Sequence, residues 1–283
     1  MSTDAPSVAL VPATQLPAAQ LHQAFREAFA DYLIGPFELP LAQWPHFLAR
    51  QGAELALSRA ALHDGEVAAF ALVAPRAGRW RLATMGALPA ARGSGAAAAL
   101  LDDFVARARA QGLAEVELEV FAQNERARRL YQRHGFKAAH ELHGYEGPGT
   151  PGAAPPPDLA GWEVDLASAF TWLDEAAARI GDLPLQVTPA SLRATAGLQA
   201  WRRGTAQLVF GTDAQGRTVV HSLVDRHAAQ DDAAALVRAL QALAAAGTVR
   251  VPPLQRADLG GEALRRAGLR VQPLHQLLMV RRV

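Results

Sequence analysis

The stretch Gly147 to Pro157, reading GPGTPGAAPPP, constrains the chain more than any other. Eight of its eleven residues are Gly or Pro. Proline has no backbone donor and glycine gains conformational freedom when unfolded, so neither a helix interior nor a sheet ladder is expected there. A linker or a long surface hairpin is expected instead. The 283 residues are thereby divided into a part at 1–146, a Pro/Gly-rich linker at 147–159 and a part at 160–283. Half of the residues are hydrophobic and 19% are charged, enough apolar material for packed cores and too little charge for a disordered chain.

Periodicity supplies the elements of the first part. Val8–Val11 reads as a strand, and Pro17–Phe29 as a helix with Leu21, Phe25 and Phe29 four apart. A second helix is expected at Leu41–Arg50. Leu57–Leu62 and Val67–Val73 flank Asp64-Gly65, a strong hairpin signal. After a turn at Arg76–Gly78, Trp80–Leu88 reads as the next strand. Ala96–Ala110 is a helix with Leu100, Leu101, Phe104 and Val105 on one stripe, and Glu115–Phe121 alternates strictly as a strand does. Glu125–His134 is a short helix ended by Gly135, and Phe136–Leu142 is extended. This order predicts an α/β fold, a mixed central sheet with helices on both faces.

The second part echoes the end of that order. Strands at Ala206–Phe210 and Thr218–Val224 flank a turn with Gly216. A helix at Ala233–Ala245, a strand at Thr248–Val251, a helix at Glu262–Ala267 and an extended Arg270–Val283 follow. Gly95 to Gly135 spans 40 residues and Asp231 to Gly268 spans 37, which reads as an internal repeat and hence two tandem copies. Trp162–Leu166 fits either the last strand of one part or the first of the other.

Composition removes several classes of function. Basic and acidic residues balance at 28 against 27, so the chain is not built to coat a phosphate backbone and no nucleic-acid partner is expected. Lys137 is the one lysine, and alanine is about a fifth of the chain, so a lone arginine says little about an anion site. Without cysteine there are no disulfides, thiolate metal sites or cysteine nucleophiles, and no metal is expected. Met1–Pro12 carries Asp4 and no basic start, and no run approaches ~18 apolar residues. A soluble, cytoplasmic protein without a membrane partner is the expectation; oligomeric state is not legible.

The chemically informative stretch runs from Met85 to Leu100, where a strand enters Arg92-Gly93-Ser94-Gly95-Ala96-Ala97 and opens a helix. Small residues let phosphates approach the backbone, and the first N–H groups of a helix have no intrahelical acceptor. Arg92 adds a possible charge-assisted hydrogen bond to phosphate. A turn that binds nothing is the bland alternative. No Lys follows the glycines, so a P-loop fails. Gly93, Gly95 and Ala98 fit a dinucleotide fingerprint, but that motif ends the first strand of a parallel unit, and here a hairpin precedes it.

Pro89-x-x-Arg92-Gly-x-Gly95-x-Ala97, followed by Asn124-x-x-Ala127-x-x-Leu130-Tyr131-x-x-x-Gly135-Phe136, resembles the two motifs of the GNAT superfamily of acyl-CoA N-acyltransferases over residues 8–146. The resemblance implies acetyl-CoA as cosubstrate. It implies that the backbone of Gly86, Ala87 and Leu88 bonds the pantetheine arm like an added strand, and that Arg92–Ala97 cradles the pyrophosphate. Asn124 would lie beside the cofactor at a splay between strands, and Tyr131 would protonate the leaving sulfur. A tyrosine hydroxyl is a proton reservoir at neutral pH, although its plain alternative is a packed helix residue. For the general base, Glu119 lies nearest the strand end among Glu115, Glu117 and Glu119, with a solvated strand face as the alternative; His134 and His143 are further candidates. Asp31, Tyr32 and Phe37 are candidate contacts for the acceptor, a small-molecule or peptide amine, or else loop anchors.

In the second part, Asp225-Arg-His-Ala-Ala-Gln-Asp231-Asp232 stands where the phosphate loop should be, and Leu264 falls opposite Tyr131. Asp231 and Asp232 read as capping carboxylates that repel a phosphate. The sequence therefore predicts an N-acetyltransferase part that works by direct attack in a ternary complex, followed by a degenerate copy. The rival is a non-catalytic acyl-CoA-binding or protein-interaction module.

Overall fold

A computed structural model describes residues 8–76, 78–244 and 247–283. The stretch Met1–Pro12, read for its charges, the turn at Arg76–Gly78 and the end of the Ala233–Ala245 helix lie partly outside the described residues. The chain forms two compact units. The first comprises residues up to Glu119, Asn124–Lys137 and Met279–Val283; the second comprises Val120–Gln123 and Ala138–Leu278.

The elements of the first unit are β1 (Ala9–Pro12), α1 (Ala18–Ala28), α2 (Trp44–Gln51), β2 (Glu54–His63), β3 (Glu66–Arg76), β4 (Arg79–Ala87), α3 (Ala96–Ala110), the start of β5 (Glu115–Phe121) and α4 (Glu125–Arg133). Its strands run in the order β1-β2-β3-β4-β5. The first three pairings are antiparallel, and β4 and β5 are parallel. At the β2–β3 turn, Asp64 and Gly65 both take positive φ, 51° and 83°, as a primed hairpin turn requires. Phe70 and Leu72 of β3 pack with Leu21 and Phe25 of α1 and Trp44 of α2. The alternating Ala69, Ala71 and Val73 are equally buried on the opposite face, where Phe104 of α3 stacks on Trp80 at 6.2 Å. The sheet is covered on both faces.

The second unit holds most of β6 (Lys137–Pro148), then β7 (Glu163–Val164), α5 (Leu166–Ile180), α6 (Pro189–Leu192), β8 (Gln199–Arg203), β9 (Ala206–Thr212), β10 (Thr218–Asp225), α7 (Asp231–Ala244), β11 (Thr248–Arg256), α8 (Gly261–Arg266) and β12 (Arg270–Arg282) up to Leu278. The order β6-β11-β10-β9-β8-β7 again joins an antiparallel run to one parallel pair, β10 with β11, through a helix.

Two expectations are corrected. Gly147 and Pro148 were expected in a linker but end β6, opposite Val249 and Thr248. Proline cannot donate to the ladder, and the strand ends at it. Gly147 admits Leu269, whose Cγ would lie 3.1 Å from a Cβ there. Gly149 and Thr150 then donate to Gly247 O and Gln241 O, both at 2.8 Å. The region 166–205, for which no element was read, carries α5, α6 and β8. Glu163 and Val164 pair with Trp201 and Ala200, so this short strand belongs to the second unit.

Candidate active site

The site of the first unit begins where two strands part. β4 and β5 are in register only from Arg79↔Glu115 to Leu82↔Leu118. β4 nevertheless stays on β3 as far as Ala87↔Ala69, and Leu88 N donates to Ala68 O at 2.9 Å. Beyond Leu82 the two strands part: neither the edge of β4 with Gly86 and Ala87 nor Leu88 just past it is in register with β5. Gly86 is glycine for a packing reason: a Cβ there would stand 2.8 Å from Ala28 Cβ and 3.0 Å from the Phe70 ring.

Past Leu88 the chain turns into α3 through Gly93 and Gly95, at φ 93° and 90°. Gly95 is the N-cap, with no side-chain cap bond and no acidic residue in the first turn. Ser94 Oγ accepts from Ala96 N at 3.3 Å. The turn therefore offers backbone N–H groups and a positive helix end, with no acidic residue in the first turn of the helix itself.

Arg92 and Asp31, expected to meet cofactor and acceptor respectively, meet each other. Nη1 pairs with Oδ2, and Nη2 with Oδ1 at 2.5 Å. Nη2 also donates to Ala28 O at 3.2 Å and Nε to Ala87 O at 3.4 Å. Hydrogen bonding to this guanidinium holds the Asp31 carboxyl below the ordinary carboxylate range. A phosphate would have to compete with Asp31 for Arg92.

Tyr32, Asn124 and Tyr131 come together. Asn124 caps α4, its Oδ1 accepting from Ala127 N at 3.2 Å, and its side chain is hydrogen-bonded to the Tyr32 hydroxyl. Tyr131 is buried, its ring 6.0 Å from Phe136. Burial foremost, and then the nearby Tyr32 phenol, hold Tyr131 above the usual tyrosine range, so it stays protonated. Phe37 packs against Phe25 and Phe29, at 5.4 and 5.6 Å, and lies among the aromatic side chains that anchor its loop.

The glutamate row of β5 is not a solvated face. Glu117 is buried, with Oε1 on Arg76 at 2.5 Å and Oε2 on Arg79 at 3.0 Å. Glu115 pairs with Arg79 at 3.0 Å. Glu119 pairs with Arg81, and the two side chains are only 2% and 3% exposed. The reason lies in the register, which sets Arg79 and Arg81 of β4 against Glu115 and Glu117. Arg81 was missed by the sequence reading. The legible signal was the shared period of two, Arg79-x-Arg81 on one strand and Glu115-x-Glu117-x-Glu119 on the next. His134 is tied down, its Nδ1 against Leu130 O at 3.1 Å and its Nε2 against Asp102 at 3.3 Å. His143 lies in the second unit, stacked on His275 at 5.2 Å and paired with Glu141.

Among the described residues no group of three or more His, Asp or Glu could hold a metal ion, and no helix is long and apolar enough to cross a membrane.

A parallel strand pair whose register ends beside a bare glycine turn at a helix N-terminus leaves backbone donors and a positive helix end available to an anionic group. The comparisons specify the family. The sequence profile of the acetyltransferase (GNAT) family matches residues 18–136. An uncharacterized N-acetyltransferase of Mycobacterium bovis is 32% identical over 136 residues, which are 48% of this chain and 84% of that protein. One of Mycobacterium tuberculosis matches to the same extent. The chain belongs to the GNAT family of acetyltransferases and is an acyltransferase. Its fold extends the likeness to both units. A putative acetyltransferase from Pyrococcus horikoshii superposes with a TM-score of 0.65 at 13% identity, over 100% of this chain and 91% of that one. A GCN5-related N-acetyltransferase from Anabaena variabilis gives 0.66 at 16% identity, over 97% and 72%.

Proposed function

We propose that the first unit transfers an acetyl group from acetyl-CoA to a primary amine, of a small molecule or a peptide, by direct attack in a ternary complex. The observation that carries this reading is the pairing of the β4–β5 opening with the uncapped turn Arg92–Ala97. The edge of Gly86–Leu88 suits an amide-rich arm that adds to it as a strand does, and the α3 N-terminus suits its pyrophosphate. Asn124 stands at the start of α4 as a contact for the arm. As the amine nitrogen bonds the thioester carbon, the C–S bond breaks. Tyr131 gives its proton to the sulfur, and Glu119 receives the proton that the nitrogen sheds. Asp31, Tyr32 and Phe37 form the wall offered to the acceptor.

The second unit supports a division of labour, because its equivalent features are filled. The parallel register of β10 and β11 ends at Val219↔Arg250, and beyond it Gln255 Nε2 reaches across to Leu223 O at 3.1 Å. At the N-terminus of α7, the buried Asp225 carboxylate accepts from Ala233 N at 3.0 Å and from His227 N at 2.9 Å. An anion is already built in. Asp231 and Asp232, expected to repel a phosphate, are instead turned to Arg266 and Arg203, at 2.8 and 3.0 Å. We read this unit as a degenerate copy without an acyl-CoA site.

The test is release of free thiol from acetyl-CoA across a panel of amines, amino acids and peptides with free N-termini. At least one acceptor is expected to be turned over. Tyr131→Phe is expected to slow it by roughly 10²–10⁴, the usual worth of a positioned proton donor, with CoA affinity little changed. Binding of CoA without turnover of any acceptor would favour a non-catalytic module.

A further inference from the structure

Of the first-unit carboxylates held by arginines, Asp31, Glu117 and Glu119 are held in three different ways. Asp31 gives one oxygen to each terminal nitrogen of Arg92. Glu117 gives one oxygen to Arg76 and the other to Arg79. Glu119 is gripped by a single oxygen: Arg81 Nε and Nη2 both lie 2.5 Å from Oε2. Its other oxygen, Oε1, is buried and has no hydrogen-bond partner among the described residues, and neither has Arg81 Nη1. Buried polar atoms without partners are rare and call for an explanation. A purely structural pair would gain by using both oxygens, since a parallel fork is the stronger geometry. Glu119 also follows Leu118 directly, the last residue of β5 in register with β4. The free oxygen therefore belongs to the residue at which the opening begins.

We propose that Arg81 is a positioning residue for acetyl transfer: it fixes Glu119 by one oxygen, keeps it ionised, and leaves Oε1 free to take the proton of the attacking amine. The proposal rests on the acetyl-transfer reading above. In this step the lone pair of the neutral attacking amine makes the new N–C bond, and the C–S pair departs on sulfur, which takes the proton of Tyr131. One N–H bond of the amine breaks, its electron pair staying on the amide nitrogen and its proton forming an O–H bond on Oε1. Burial alone would favour the neutral acid, and it raises the proton affinity of Glu119; Arg81 opposes this and Glu117 reinforces it. The other charges on this face are Arg76, Arg79 and Glu115, of which Arg76 and Arg79 neutralise Glu117. Arg81, ahead of Arg76, is the cation that lowers the proton affinity of Glu119 most.

The experiment uses the full chain, acetyl-CoA and the best amine found. Arg81→Met is expected to lower kcat at least tenfold at neutral pH, leave CoA affinity within threefold, and move the acid limb of kcat/KM up by at least one pH unit. Arg81→Lys keeps the charge and is expected to hold the limb within half a unit of the wild type. In a Glu119→Gln background, Arg81→Met is expected to cost nothing further in kcat. An unmoved limb, or an equal loss in both backgrounds, overturns the proposal. If Arg81→Met alone fails to fold, the limbs of Arg81→Gln and Arg81→Lys give the same comparison. A wild type that binds CoA and turns over no amine contradicts the acetyl-transfer reading instead. The positioning claim is then decided by the carbon-13 NMR titration of the Glu119 carboxyl, whose midpoint must rise by at least one unit when Arg81 loses its charge.

Discussion

Glu119 shows why some residues of the site were legible and others were not. Its place near the C-terminal end of a strictly alternating strand could be read directly. Its environment could not, because alternation with apolar residues is the pattern of a half-exposed strand. The cation that buries it lies 38 residues earlier, on a neighbouring strand. The same holds for Asp31 and Arg92, 61 residues apart. The first pairing shows only in the matched period of two on β4 and β5, and the second not at all. Burial has a kinetic consequence. Glu119 is held above its ordinary value of 4.5, and a base must be ionised to act. Activity therefore falls as pH drops through the folded value, not through the free one. The kcat/KM profile is expected to show its acid limb above pH 4.5 and to lose that limb in Glu119→Gln. A limb at or below the free-carboxylate value would mean that another group takes the proton. The raised Tyr131 predicts no alkaline loss from that phenol at or below pH 10.

At the scale of elements, α3 and β5 have the bounds read from the sequence, Ala96–Ala110 and Glu115–Phe121. Both carry one unbroken period, and each has a single apolar surface to bury. α5 was missed although it is longer than most. Asp165 caps it, accepting from Ser168 N at 2.9 Å, and Ala169, Leu173 and Ala176 form its buried stripe. In an alanine-rich chain, small residues at helical spacing stand out little from their surroundings. The contact of α1 with β4 is a tighter constraint than any helix boundary. At Gly86 an added methyl meets Ala28 and Phe70 within 3.0 Å. Gly86→Ala is expected to cost roughly 1–3 kcal/mol through overpacking, measured by urea unfolding. It should also weaken acetyl-CoA binding, because α1 carries Ala28 and leads to Asp31, both of which hold Arg92. Unchanged stability would mean that α1 yields freely at this point.

At the scale of the whole molecule, the Pro/Gly run is not where the units change: the chain passes into the second unit at Ala138, and residues 147–157 lie inside that unit. The first unit takes Met279–Val283 from the far end of the sequence, a contribution that no local pattern announces. Met279 is fully buried, Val283 N donates to Ala114 O at 3.1 Å, and the Arg281 guanidinium donates to His134 O. Deleting residues 279–283 is expected to lower stability by about 2–5 kcal/mol, the range for losing one buried large side chain, and ending the chain at Glu146 by at least as much. Melting temperatures of the deletions would show it, and a chain ending at Glu146 that melted like the full protein would refute it. The sequence already set the two helix N-termini apart through Asp231 and Asp232, but the carboxylate that closes the second is Asp225, while the first is bare at Gly95. That opposition is the centre of the account, and calorimetric titration of the full chain with acetyl-CoA tests it most directly. The account predicts one site per chain, abolished by Gly95→Asp and weakened far less by the uncharged Gly95→Asn. Two sites per chain, no binding at millimolar concentration, or binding indifferent to Gly95→Asp would contradict it.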